Sequence, residues 1–315
     1  MQQSYRYHLD SSSKKFKCPQ CGSKSFVLYT DIETKDYLPD SVGRCDRENN
    51  CGYHYKPSEY FKDLGVGQKP FINSSFYKPE PVLPIDYMPL DLVEATIKND
   101  GYKKSNFAAF LLMNFGITAP EKALLKYFVG RSKIDNGKGC IFWRIDIESR
   151  VRTGKIMSYN SETGKRNKDE QPSWVHTTMK PFNHQLCFFG EHLLNEFPHK
   201  TIALVESEKT AIIASMYMPQ YNWLATGGAN GCKWREWDIY KVFWGKNVLL
   251  FPDFGYYNKK TEKTCWQEWS ERAERIRETA NCSIEVSRIL ENKLEESQRV
   301  NDLDLSDILM SESPF

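Results

Sequence analysis

Two sets of side chains in this sequence have the types and spacing for chemistry. The first is Cys18-Pro19-Gln20-Cys21 together with Cys45 and Cys51. Two thiolates on one tight turn can grip a single ion, and the later pair stands far enough along for a strand pair to return it to the first. Four thiolates around zinc make a closed structural site, and a small ribbon of this size could hardly fold without it. The stretch Cys45-Asp46-Arg47-Glu48-Asn49-Asn50-Cys51 is wider than the usual two-residue spacing, which leaves His54 as a substitute ligand. The second set is acidic. Glu206 follows the apolar run Ile202–Val205, Asp253 follows Val248–Phe251, and the segment NDLDLSDIL supplies Asp302, Asp304 and Asp307. Carboxylates gathered from such distant segments repel one another unless cations sit among them, and Mg²⁺ prefers carboxylate and phosphate oxygens. Two ions there could activate an attacking hydroxyl and steady a leaving phosphate. The plainer reading of Asp304 or Asp307 is a cap on a short terminal helix, LSDILM.

The elements that must position these groups follow from pattern. Residues 1–66 are rich in cysteine and turn residues, with strand-like runs at Phe26–Tyr29 and Tyr53–Tyr55, and read as a zinc ribbon. Residues 67–84 hold four prolines and few periodic apolar positions, and read as a linker. Residues 85–195 read as a mixed α+β subdomain. Helices are expected around Leu92–Ile97, around Ser105–Asn114 and from near Pro120, and strands at Cys140–Asp146, Lys155–Asn160 and Cys187–Gly190. From 196 to 315 the alternation is cleaner. Strand Thr201–Val205, helix Lys209–Tyr217, strand Trp223–Thr226, strand Asn247–Phe251, helix Cys265–Ala280 and strand Ser283–Ser287 follow in turn. Apolar strands alternating with amphipathic helices predict an α/β unit, a parallel sheet flanked by helices on both faces. In such sheets ligands bind at the carboxyl ends of strands, which is where Glu206 and Asp253 fall.

Bulk properties narrow the class. The chain has 315 residues, a net charge of +2 and an apolar share of 40%, so it is globular in composition and long enough for two or three modules. Its longest apolar stretch, Phe107–Met113, is far short of the roughly 20 residues needed to cross a bilayer. With no secretion signal, nine cysteines, four of them in the first 51 residues, speak for metal ligation over disulfides, and the expected place is the cytoplasm. Charge is uneven: residues 131–180 carry 11 basic and 6 acidic side chains, whereas 201–315 carry 14 and 18. A basic middle beside an acidic end suits a phosphate-contacting platform next to a metal-holding cluster; solvated surface charge is the bland alternative. The ribbon's Lys14, Lys15, Lys17, Arg44 and Arg47 with Phe16, Tyr53 and Tyr55 suit base stacking, and equally a ribbon stiffened by its own aromatics.

These segments together resemble the toprim domain of bacterial primases, topoisomerases and related enzymes. TIALVESEKTAIIA resembles its first motif, with Glu206 as the acid. LLFPDFG resembles the second, usually an Asp-x-Asp, with Asp253 as its first acid and Gly255 where the second would stand. ATGGAN (Ala225–Asn230) matches the glycine turn between them, and NDLDLSDIL the Asp-rich tail motif. CIFWRIDIESRVRTGKIMSYNSETGKR (Cys140–Arg166) is similar to the basic strand pair that precedes toprim in primases, and the cysteine quartet stands where primases carry a zinc ribbon. The resemblance spans most of the chain in the right order, in the compact form carried by plasmids, phages and other mobile elements.

The resemblance implies a single-stranded DNA template lying along Arg144, Arg152, Lys155, Lys165 and Arg166. It implies Mg²⁺ or Mn²⁺ held by Glu206, Asp253 and one or both of Asp304 and Asp307. A nucleoside triphosphate would be attacked at its α-phosphate by a 3′-hydroxyl. Lys209, one helical turn past Glu206, is placed to neutralise phosphate, or is a surface lysine. A separate helicase is the further partner implied, since the sequence has no G-x-x-x-x-G-K-[ST] phosphate loop of its own. Three other readings stay open: a toprim-type nuclease, a strand-passing enzyme whose attacking tyrosine no motif flags among 17, and a degenerate toprim that grips single-stranded DNA without chemistry, for which Gly255 speaks.

Overall fold

The computed structural model describes residues 6–64 except 13 and 49, and residues 84–312 except 229, 230, 256, 259 and 260. The expected linker lies outside them but for Pro84, as do Ala229 and Asn230 of the glycine turn. The chain forms two compact units, Met1–Val82 with Tyr257–Lys263, and Leu83–Tyr256 with Thr264–Phe315.

The first unit is an antiparallel ribbon of β1 (Tyr7–Leu9), β2 (Phe16–Lys17), β3 (Lys24–Asp31), β4 (Gly43–Cys45) and β5 (His54–Tyr55). They run in the order β1-β3-β4-β5, with β2 also on β3. Phe26 and Leu28 alternate inward from β3 and pack on Cys18 and Cys45, which is nearly all the core the ribbon has. Helix α1 (Pro57–Asp63) follows, opened by proline at its first turn.

The second unit begins with α2 (Leu90–Ile97), α3 (Asn106–Phe115) and α4 (Thr118–Lys126). Ser105 caps α3, its hydroxyl accepting from the Ala108 amide at 3.2 Å. An antiparallel sheet follows: β6 (Val129–Ser132), β7 (Gly139–Ile145), β8 (Val151–Met157) and β9 (Ser173–Trp174), in that order. Then come β10 (Ile202–Val205), α5 (Glu208–Tyr217), β11 (Asn222–Ala225), β12 (Asn247–Leu250), α6 (Cys265–Ala280), β13 (Ser283–Val286) and α7 (Leu305–Glu312). The four strands form a wholly parallel sheet, ordered β11-β10-β12-β13. The expected segment Cys187–Gly190 is not a strand: Phe189 makes one isolated bridge to Ala225 before Gly190 turns the chain at φ 82°.

Both faces of the parallel sheet are covered, as its unbroken apolar strands require. Ala203 and Val205 of β10 pack with Ala211, Ile212 and Ile213 of α5, in a core that also takes Cys140 and Phe142 of β7. Ile202 and Leu204 face the other way, onto Trp269, Ala273 and Ile276 of α6. The regions expected as separate subdomains, 85–195 and 196–315, therefore share one core.

A buried ionic knot joins the two sheets. Glu208, the first residue of α5, accepts from Arg144 Nη2 of β7 at 2.7 Å and from Lys155 Nζ of β8 at 3.0 Å. Arg144 also donates to the carbonyls of Cys187 (2.6 Å) and Thr226 (3.1 Å), and Lys155 to that of Gly227 (3.1 Å). Burial opposes the charge on Glu208, yet Lys155 and Arg144 outweigh it and hold the carboxyl below its usual value. Gly227 is required here. A Cβ on it would stand 2.0 Å from Arg144 Nη2, and its backbone sits at φ 87°. Replacing Arg144 by Met should lower the unfolding free energy by about 3–5 kcal/mol, because it strands a buried carboxylate beside one cation. Urea denaturation of the full chain measures this, and an unchanged midpoint would count against the knot.

Candidate functional sites

The ribbon brings the four predicted cysteines together. Sγ of Cys18 lies 3.7 Å from that of Cys51, Sγ of Cys21 lies 4.0 Å from that of Cys45, and all four fall within 4.8 Å of one another. The knuckle is closed by the Gly22 amide donating to the Cys18 carbonyl, and the wide second half is folded by the Cys51 amide donating to the Arg47 carbonyl, both at hydrogen-bonding distance (2.9 and 2.8 Å). That turn lets a six-residue step present two thiols inward. His54 is not the substitute ligand: its Nε2 meets the Tyr29 hydroxyl at 2.8 Å. Hydrogen bonds from the backbone and side chain of Ser23 bring the Cys21 thiol down to about 6, towards the thiolate form that ligates metal. The donor set fits tetrahedral zinc.

In the second unit, Glu206 and Asp253 leave the carboxyl ends of the adjacent strands β10 and β12, as predicted. Glu206 is half-buried, and the Cys265 thiol at the start of α6 donates to its Oε1 at 3.0 Å. Asp253 is half-buried and makes no hydrogen bond or ion pair with the described residues. Burial pushes both carboxyls up; Asp302 adds to the push on Glu206, and Glu206, Asp304 and Asp302 add to that on Asp253. Asp302 is itself raised by burial and then by Asp304. The three segments come near one another, as the topology permits, and the Phe254 amide bridges to the Leu303 carbonyl at 2.7 Å. Among the described residues, the cysteines alone form a group of metal-ligating atoms within 4.8 Å of one another, so the carboxylates stand wider apart than that.

Asp304 and Asp307 take the plainer of the two roles read from the sequence, a cap on the last helix. Asp304 is buried, and its Oδ1 accepts from the amides of Ser306 (2.7 Å) and Asp307 (3.2 Å) and from the Ser306 hydroxyl. In return the Asp304 amide donates to Oδ2 of Asp307 at 2.9 Å. This is a reciprocal capping box at the start of α7. The remaining oxygen of Asp304 accepts from the Thr210 hydroxyl at 2.7 Å and lies 3.6 Å from Lys209 Nζ. The carboxylate that faces Glu206 and Asp253 without such partners is Asp302, whose signal in the sequence was the missing acid at Gly255.

The predicted nucleic-acid contacts divide. Arg144 and Lys155 belong to the knot, with Arg144 fully buried and Lys155 nearly so, and Arg152 is buried against Asp146 at 2.7 Å and Gln185 at 3.1 Å. Those three side chains are structural cations, because the antiparallel sheet that carries them is covered on both faces. Lys165 and Arg166 are exposed, as expected of a phosphate-contacting segment. With Lys168, Asn106 and Asn160 they line an open polar cavity of about 480 Å³. Burial and Asp304 raise the Asp307 carboxyl while Lys209 and Lys165 pull against them, so this basic segment neighbours the acidic one.

The family described as a zinc beta-ribbon finger matches residues 5–65, and that described as a domain of unknown function (DUF6371) matches residues 105–254. No curated protein matches the chain. Among solved structures, the chain is similar to the primase fragment of the bacteriophage T7 primase-helicase protein at 14% identity, covering 87% of this chain and 88% of that one, with a TM-score of 0.38. It is similar to the zinc-binding and RNA polymerase domains of the Aquifex aeolicus primase at 13% identity, covering 98% and 78%, with a TM-score of 0.39. It is also similar to a DnaG primase catalytic domain bound to single-stranded DNA, at 13% identity, covering 72% and 78%, with a TM-score of 0.30. No helix among the described residues is long and apolar enough to cross a membrane.

Two outcomes are expected. Elemental analysis of the purified chain should find one zinc, and Cys21→Ser should release it and unfold the ribbon; a metal-free, folded wild-type ribbon would refute the assignment. In the acidic group, carboxyls raised in the folded state bind more protons there than when unfolded. They therefore cost stability as pH rises through the ordinary carboxyl range towards the raised values. The melting temperature of the chain without added Mg²⁺ should fall between pH 5 and pH 8, and that fall should shrink in Glu206→Gln/Asp253→Asn. An equal fall in both would remove the acidic group as its cause.

Proposed function

We propose that the chain is a primase-like nucleotidyltransferase of toprim type, which joins nucleoside triphosphates into short primers on single-stranded DNA with Mg²⁺ or Mn²⁺. The observation that carries this reading is the pairing of Glu206 and Asp253 at the carboxyl ends of adjacent parallel strands. The carboxylate oxygens fit a hard divalent cation, and Asp253, raised by burial and its acidic neighbours with Lys209 pulling against them, makes no ion pair or hydrogen bond with the described residues. When bound there, divalent ions would ease deprotonation of the attacking 3′-hydroxyl and offset charge on the reacting phosphates. Glu206 is held for this by the Cys265 thiol, and Asp304 positions Lys209 beside the cluster. Lys165, Arg166 and Lys168 offer the template or the triphosphate a basic, open wall. A helicase working as a separate chain fits the same reading.

Gly255 favours a second reading, a degenerate toprim that holds single-stranded DNA without chemistry. A priming assay with labelled nucleotides, Mg²⁺ and single-stranded template separates the two. Wild type should yield product, and Glu206→Gln and Asp253→Asn should each lose about a hundredfold or more, since metal-held charge is worth several kcal/mol and each 1.4 is tenfold. DNA binding with no product from wild type would favour the binder. Cleavage of the template instead of extension would favour the nuclease.

A further inference from the structure

The parallel sheet has a second edge. Strands β10 and β12 run side by side in one direction, so their amino ends lie together, a strand's length of roughly 13 Å from the ends that carry Glu206 and Asp253. Lys200 stands two residues before β10, and Lys246 immediately before β12. Lys200 Nζ donates to the Pro219 carbonyl at 2.8 Å and Lys246 Nζ to the Pro198 carbonyl at 3.0 Å, which ties both to the loops of that edge. Lys126, the last residue of α4, joins them. Its Nζ lies 5.0 Å from the centre of the Phe197 ring, and Lys200 Nζ lies 4.5 Å from the same centre. Two ammonium groups therefore share one aromatic ring. Neither they nor Lys246 make an ion pair with the described residues. Burial pushes the Lys126 ammonium down and Lys200 adds to the push, against the pull of Glu196.

Beside these lysines two tryptophans stand in the open. Trp237 is 44% and Trp244 57% exposed, and they meet edge to face with ring centres 6.1 Å apart. Trp244 lies three residues before β12, so it shares the edge with Lys246. The segment between them is held from within. Phe243 is buried against Phe188 at 5.1 Å, and the Tyr240 hydroxyl meets Thr279 Oγ1 of α6 at 3.0 Å. Large indoles kept in water on a fixed backbone are apolar area that folding left unburied. Nearby acids do not offset the lysines: Asp238 lies 3.3 Å from Lys241, and Glu196 is one carboxylate against three ammonium groups.

We infer that this edge is a second binding surface, for a single-stranded nucleic acid whose phosphates meet Lys126, Lys200 and Lys246 and one of whose bases stacks on Trp244. Cations without carboxylate partners beside exposed indoles match a strand that carries a charge and a flat ring at every nucleotide. An acidic peptide matches the lysines but brings no ring in step with each charge. The surface shares no residue with the wall of Lys165, Arg166 and Lys168, and it requires nothing of Glu206 or Asp253.

The test is binding of a labelled oligothymidylate to the full zinc-loaded chain, read by fluorescence anisotropy over a range of salt. The chain carries Lys165→Ala, Arg166→Ala and Lys168→Ala, which removes the wall, and it should still bind. Adding Lys126→Gln, Lys200→Gln and Lys246→Gln should flatten the slope of log affinity against log salt by about 2, three phosphate contacts at about 0.7 each. Adding Trp244→Leu instead should weaken binding about tenfold, the loss of one stacked base, with the melting temperature unchanged. Should the lysine variant fail to fold, Trp244→Leu decides alone. An unchanged slope, an unchanged affinity in Trp244→Leu, or loss of all binding with the wall would each overturn the inference. Oligoglutamate bound by the chain and lost in the lysine variant, with thymidylate binding kept, would overturn it in favour of an acidic protein partner.

Discussion

The second unit hangs on one buried carboxylate. Glu208 opens α5, and without the cations of β7 and β8 it would be an unpaired charge in a nearly dry interior, among the most costly things a fold can contain. Because those cations come from the antiparallel sheet, the charge can be met only when that sheet docks on the parallel one. The same contacts set the turn after β11, through the Thr226 and Gly227 carbonyls, and the start of α5, two residues beyond Glu206. A structural ion pair therefore anchors the backbone two residues beyond Glu206.

The acidic edge is built on the opposite principle. Glu206, Asp253 and Asp302 have few partners, and burial, with acids around them, raises the affinity of each for protons. A fold selected for stability alone would have capped or paired them, as it did with Asp304, Asp307 and Glu208. Carboxylates raised together at one edge are what the proposed cation site would need.

Much of this was legible in the sequence, and for identifiable reasons. The strands β10 to β13 are apolar throughout and α6 is amphipathic, so periodicity alone located them and with them the strand ends that carry Glu206 and Asp253. The cysteine quartet was equally plain, because a knuckle has little other use. What was not legible depended on partners remote in sequence. Arg144, Arg152 and Lys155 looked like a basic surface because charge counts do not show that a strand is covered on both faces. Asp302, Asp304 and Asp307 are alike in type and spacing, and only three-dimensional neighbours separate the two that cap a helix from the one that does not. The strand expected at Cys187–Gly190 is apolar, but it meets Ala225 at one point and then turns.

The bridge between Phe254 and Leu303 has a consequence in time as well as in space. The edge that gathers the acids is closed by a segment synthesised about fifty residues after β12, later than every strand of both sheets. A nascent chain can thus fold its ribbon, its knot and most of its core while its acidic edge is still one wall short. Any chemistry belonging to that edge would wait until that later segment has been made.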